Sequence, residues 1–319
     1  MFSVIIQKIN RTDSLMLESF IEKLKYDSLL TLETTPIHEP TFEPIIEKIA
    51  QLGLDKKVDG FSTTDNPLAR LKYNALFGAL KLQNRFEKPV IATMSMRDRN
   101  KLALQSDLLG ANENDLRTIL CLTGDPASAS DQPALKGVFE GNSTLLMDII
   151  QCFNAGIDYS GKPFKTQPKP IYPFAVCNAH ANTPRHLMKK MATKMSHGAV
   201  GIITQPVYSM ENANMLVELL KEAKKEIGKE AHEAELILGF FPIIKLRTAQ
   251  FLSAHVPGVH VPTLWMEKLA HAKKISEAEE NKVGFELSLQ TFRMLKKVHP
   301  KIHMMSANNF ELIADLLAD

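Results

Sequence analysis

The sequence predicts a single-domain α/β protein, a (β/α)8 TIM barrel, and three observations predict it. Short apolar, β-branched runs alternate with longer segments of helical period. The chain has 319 residues and 45% hydrophobic content, a length that α/β barrels use as one domain and a composition that fills a sizeable core. The apolar runs end on polar residues, at the face where a parallel barrel carries its site.

Along the chain, residues 1–27 form an N-terminal helical segment, with a helix expected over about 14–26 and "TDS" as its N-cap signal. Residues 28–319 form the barrel. Its strands are expected at "SLLTLET" (28–34), "DGFSTTD" (59–65), "PVIATMS" (89–95) and "TILCLTG" (118–124). The next four are "PIYPFAV" (170–176), "AVGIITQ" (199–205), "ELILGFF" (235–241) and "KIHMMSA" (301–307). Helical-period stretches such as "TFEPIIEKIAQLG" and "KVGFELSLQTFRMLKKVH" lie between them. Two long Gly-, Pro- and Ser-rich loops follow strand 4 and precede strand 5. The first lies on the carboxyl face of the barrel, where it can cover a site; the second lies on the opposite face.

Composition excludes several classes. Net charge is +2, from 38 basic and 36 acidic residues, so neither nucleic acid nor an anionic membrane is expected as partner. Cys121, Cys152 and Cys177 form no CxxC pair, so neither zinc nor a disulfide framework is expected, and a reduced, cytoplasmic compartment is. The opening "MFSVIIQKIN" lacks signal-peptide features, and no apolar run is long enough for a bilayer. Histidines such as His180 and His197 are scattered, without metal-ligand spacing, and no metal site is expected. There is no GxGxxG and no P-loop. A homo-oligomer is compatible with all of this.

If the barrel closes, its strand ends bring together Glu33, Thr64 with Asp65, Thr93 with Ser95, Asp125, Cys177 with Asn178, Gln205 and Asn308. Each alone reads as an ordinary turn residue. Two carboxylates and an amide on nonadjacent strands read together as a site. Glu33, in "LLTLETTP", points toward the barrel mouth; a glutamate there is costly unless solvated, paired or protonated, which suits a general acid. In "MRDRNKLALQSDLLGA", Arg97 and Arg99 flank Asp98 before a helix. They read equally well as a phosphate clamp and as ion pairs with Asp98 or Asp107.

In these residues and the motifs around them, the chain resembles the methylenetetrahydrofolate reductase family. The resemblance rests on the ordered set "TLETTP", "TDNPLAR", "RDRNKLALQSDLLGA", "LTGDP", "GIITQPVY", "GFFPI", "PGVHVP" and "HMMSANN". It implies a barrel that binds FAD and folate, with NADH or NADPH as reductant in a ping-pong reaction that converts 5,10-methylenetetrahydrofolate to 5-methyltetrahydrofolate. By resemblance, Glu33 matches the general acid and Asp125 the carboxylate beside flavin and folate. Gln205 matches a folate-binding glutamine. Thr64, Thr93, Gly124 and Lys194 fall on flavin-contact positions. Arg97 and Arg99 join the cofactor set as the phosphate clamp.

The chain also departs from the family pattern. Thr123 replaces a common arginine, and Thr93 stands where many members have histidine. Cys177 and Asn178 occupy the stretch that usually supplies a flavin-contacting tyrosine. Thr248 stands in place of a second glutamine and Asn309 in place of an arginine, both on the folate side. Two other readings stay open: a pterin-binding, methyltransferase-type barrel, and a non-catalytic partner subunit without flavin.

Overall fold

The computed structural model describes residues 16–228 and 234–318. Eight parallel strands close in chain order: β1 (Leu29–Thr34), β2 (Gly60–Thr63), β3 (Val90–Ser95), β4 (Thr118–Leu122), β5 (Tyr172–Cys177), β6 (Gly201–Pro206), β7 (Glu235–Phe240) and β8 (Lys301–Met304). β8 pairs back onto β1, with Leu29 opposite Lys301 and Leu32 opposite Met304. The fold is therefore the predicted single-domain (β/α)8 barrel; six expected runs contain their strands, and β5 and β6 extend one residue beyond theirs.

Residues 16–26 form helix α1. The expected N-cap at 12–14 lies outside the described residues. The outer helices up to β6 are α2 (Glu43–Gln51), α3 (Ala75–Phe86), α4 (Lys101–Glu113), α5 (Ser143–Asn154) and α6 (Pro184–Ser196). After β6 come α7 (Met210–Ile227), then α8 (Leu246–His255), α9 (Thr263–Ile275), α10 (Glu277–Val298) and, after β8, α11 (Phe310–Leu316). Several begin at side-chain caps. Asn100 accepts the Ala103 amide at α4, Asn142 the Thr144 amide at α5, and Ser276 the Glu279 amide at α10.

Strand alternation divides the core into two layers. Outward residues such as Leu32, Ala92, Ile119, Ala175, Ile202 and Leu238 pack against the helices. Inward residues Leu29, Ile91, Leu120, Phe174, Ile203 and Ile237 form a second cluster with Leu17, Phe20, Ile21 and Leu24 of α1. α1 thus plugs the N-terminal mouth, and each such side chain taken from water contributes about 1.5–3 kcal/mol. The fit is close: a Cβ on Gly201 would lie 2.6 Å from Phe174 Cδ1, so only glycine leaves room for that ring. No helix among the described residues is long and apolar enough to cross a membrane.

Candidate functional site

The inward register that is apolar at the bottom of the barrel becomes polar at the top. On β1 it runs Leu29, Thr31, Glu33; on β3, Ile91, Thr93, Ser95; on β6, Ile203, Gln205. These tips line an open cavity of about 380 Å³ at the carboxyl end. Glu33, Thr64, Thr93, Ser95, Thr123, Gly124, Asp125, Gln205 and His303 share that wall with Leu120, Leu122, Val176, Ile203 and Met305. The cavity has a polar side on β1–β3 and a more apolar side on β4–β6.

The Gly-Asp pair after β4 has a steric explanation. Gly124 has φ +94°, and a Cβ there would lie 2.9 Å from Arg97 Cβ. A glycine lets the chain turn sharply where it leaves the strand and present Asp125 at the mouth. Asp125 Oδ2 accepts the Leu68 amide at 2.6 Å.

Glu33 projects from β1 with its side chain 22% exposed and Oε2 3.8 Å from His303 Nε2. His303 is buried in the barrel. Its Nδ1 is 2.7 Å from the Thr31 hydroxyl and its Nε2 3.4 Å from the Ser62 hydroxyl. His303 opens "HMMSANN", and no motif in the sequence assigns it a role. The signal for it is its parity: the inward positions on β8 are Lys301 and His303, followed by Met305 just past its end, and a histidine among inward residues needs polar partners.

Two hydroxyls at the cavity wall, Thr64 Oγ1 and Ser95 Oγ, are buried without a hydrogen-bond partner among the described residues. Native interiors keep few such groups. Ser95 is set firmly, since its amide donates to Asp65 Oδ2 at 2.9 Å.

Lys194 reaches from α6 to the Ser143 hydroxyl at the start of α5. Burial pulls its ammonium below the ordinary pKa, and no carboxylate of the described residues forms an ion pair with it. The Ser143 amide donates to the Thr123 hydroxyl at 3.2 Å. A cation, a hydroxyl and a helix N-terminus therefore meet at the cavity edge, a combination suited to an anion.

Other predicted site residues lie elsewhere. Arg97 is 1% exposed, and its guanidinium donates to Asp98 at 2.7 and 2.6 Å. Burial opposes the charge on Asp98, but the bonds and charge of Arg97 outweigh it and hold the carboxyl below its ordinary range. Arg99 pairs with Asp65 at 2.6 Å and Asp107 at 2.8 Å. Neither arginine is among the cavity-lining residues. Of the two readings the sequence left open, the geometry is that of ion pairs. Cys177 is a correction: strand parity turns it outward into the helix-facing core, and burial pushes its thiol up to about 11. Val176 takes the cavity position beside it. Thr248 sits half-buried within α8, away from the cavity lining. Asn309 caps α11 by accepting the Leu312 amide at 3.3 Å. Asn308 latches the end of β8 to the end of β1 through both main-chain groups of Thr35.

No curated protein matches the chain in sequence. Among solved structures it is similar to an uncharacterised protein from Clostridium thermocellum that is described as binding two copies of 5-methyl-5,6,7,8-tetrahydrofolic acid. The TM-score is 0.59 at 16% identity, covering 93% of this chain and 97% of that one. DmoA from Hyphomicrobium sulfonivorans is similar with a TM-score of 0.54 at 9% identity, covering 91% of this chain and 86% of that one. At such identities the likeness speaks for the barrel alone. The sequence itself carries more: methylenetetrahydrofolate reductase is the family whose model matches residues 21–319, from α1 through all eight strands and the cavity they build. By that match the chain belongs to the methylenetetrahydrofolate reductase family.

Proposed function

We propose that this barrel reduces 5,10-methylenetetrahydrofolate to 5-methyltetrahydrofolate, with FAD as cofactor and NADH or NADPH as reductant. Family membership makes the function folate-related. The observation that carries the finer reading is the cavity itself. Glu33 and Asp125 stand on strands separated by β2 and β3, around a chamber whose wall holds unpartnered hydroxyls.

The residues suit a flavin. Thr64, Thr93 and Ser95 offer hydroxyls to the polar edge of a ring, and Leu120, Leu122, Val176, Ile203 and Met305 offer apolar surface to its faces. Thr123, Ser143 and Lys194 suit a pyrophosphate. Arg97 and Arg99 brace the loops around it through their carboxylates instead. A bound flavin supplies hydride chemistry; the protein supplies binding, orientation and charge.

Glu33 acts as general acid. Opening the methylene bridge needs a proton on the departing folate nitrogen, and a carboxylic acid at the mouth delivers it. His303, held by Thr31 and Ser62, is the positioning residue beneath Glu33. Asp125 offers an acceptor to ring N–H groups, and Gln205 fixes the folate from the β6 wall. Thr248 and Asn309 have no part in this scheme.

The test is an absorbance spectrum of the purified protein, with FAD added where needed. A flavin spectrum that NADH bleaches anaerobically, and that methylenetetrahydrofolate restores, is the expected result. A protein that binds 5-methyltetrahydrofolate but takes up no FAD overturns the reductase reading in favour of a flavin-free pterin site.

A further inference from the structure

The loop from β2 to α3 adopts a backbone that its residues disfavour. Asn66, Leu68 and Ala69 have φ of 44°, 57° and 56°. This is the left-handed region, which side chains with a Cβ enter at a cost. Such strain persists only where the surroundings impose it. Leu68 is 48% exposed, so apolar packing does not account for its pose. Polar clamps do. Arg97 donates to the Asn66 carbonyl at 3.0 Å. The Ser130 hydroxyl donates to the Ala69 carbonyl at 2.6 Å. The Lys72 amide donates to the Asn66 side chain at 2.9 Å.

What the strained turn delivers is one N–H group. The Leu68 amide donates to Asp125 Oδ2 at 2.6 Å, while no described residue donates to Oδ1. A carboxylate on a short side chain can rotate; a bond to one oxygen fixes where the other points. Two clamps come from other segments and the third from within the loop, yet all hold the turn that aims this single amide.

We infer that residues 66–69 are a positioning element for Asp125. The Leu68 amide holds one carboxylate oxygen and leaves the other as acceptor for an N–H donor of the bound ring. Arg97 and Ser130 keep the turn in its strained form. This rests on the reading of Asp125 as a ligand contact, and it accounts for a buried arginine beside the site that is not among the residues lining this cavity.

The test uses variants that loosen the turn without touching Asp125 or the cavity lining: Ser130→Ala and Asn66→Ala. Affinity of the full chain for 5-methyltetrahydrofolate is measured by calorimetry for each, for Asp125→Asn, and for both double variants, with thermal melting to establish that each is folded. Each loop variant should weaken binding about three- to tenfold, the worth of one ordinary hydrogen bond, since the contact is loosened and not removed. That loss should vanish in the Asp125→Asn background, a coupling that a merely structural loop would not produce. Additive losses, or full affinity in both loop variants while Asp125→Asn is weakened, overturn the positioning role and leave Asp125 as a ligand contact. If wild type does not bind, or Asp125→Asn binds as tightly as wild type, the reading of the site fails and the positioning role falls with it.

Discussion

At the N-terminal end of the barrel, the inward residues Leu29, Ile91, Leu120, Phe174, Ile203 and Ile237 meet Leu17, Phe20, Ile21 and Leu24 of α1. Two to four residues further along the same strands, the inward positions are Glu33, Thr93, Ser95 and Gln205, around an open cavity. The backbone geometry is shared, so the contrast comes entirely from side chains. The closed end gains stability by removing apolar surface from water. The open end keeps carboxylates and unpartnered hydroxyls, which cost stability and are useful only with something bound. Substitutions at the two ends should therefore separate stability from ligand chemistry.

The largest stability effect belongs to the plug. Phe20 is 3% exposed within the inner cluster. Phe20→Ala should lower unfolding free energy by about 3–5 kcal/mol in urea titration. Ligand affinity of the folded fraction should stay at the wild-type value. A loss of affinity without loss of stability would break the division between the ends.

Glu33→Gln should do the reverse. Stability should stay within about 0.5 kcal/mol of wild type. In stopped-flow absorbance, reoxidation by methylenetetrahydrofolate should slow by about 10²- to 10⁴-fold, while reduction by NADH changes little. Equal slowing of the two steps would point to a distorted flavin site.

Lys194 sharpens the contrast at the cavity edge. It is a desolvated cation without a carboxylate partner among the described residues, reaching Ser143. Lys194→Met should weaken FAD binding by roughly tenfold, the scale of one charge-assisted hydrogen bond. The melting temperature of the flavin-free protein should not fall. Unchanged FAD titrations would remove Lys194 from the cofactor set.

The smallest effect is a pH dependence at the closed end. His299 Nε2 donates to the Leu236 carbonyl at 2.7 Å, and burial pulls its pKa below the ordinary 6.5. As pH falls, the unfolded chain therefore takes up this proton first. The stability His299 contributes is complete above roughly pH 6.5 and declines as pH falls through the folded value. In His299→Gln, denaturation midpoints should depend less on pH between 7 and 5.5. An unchanged slope would assign the acid sensitivity to other groups.

Much of this molecule was determined by the sequence alone. Eight short apolar runs separated by helical periods leave few alternatives to a parallel barrel, because parallel strands need crossover helices and both sheet faces need cover. The strand-tip residues Glu33, Thr64, Thr93, Gly124, Asp125 and Gln205 were legible for the same reason: once the strands are placed, their tips are placed. Tertiary structure alone decided the rest. A one-residue parity turned Cys177 into the core and put Val176 in the cavity. Arg97 and Arg99 could face a ligand or a carboxylate; the fold turns Arg97 onto its neighbour Asp98 and brings Asp65 of the β2–α3 loop to Arg99. His303 became a partner of Glu33 because β8 closes onto β1. The Leu68 amide reached Asp125, 57 positions away, through a backbone that local propensity disfavours. Local pattern sets which residues form an element; side-chain pairing depends on contacts between distant segments, which no local pattern contains.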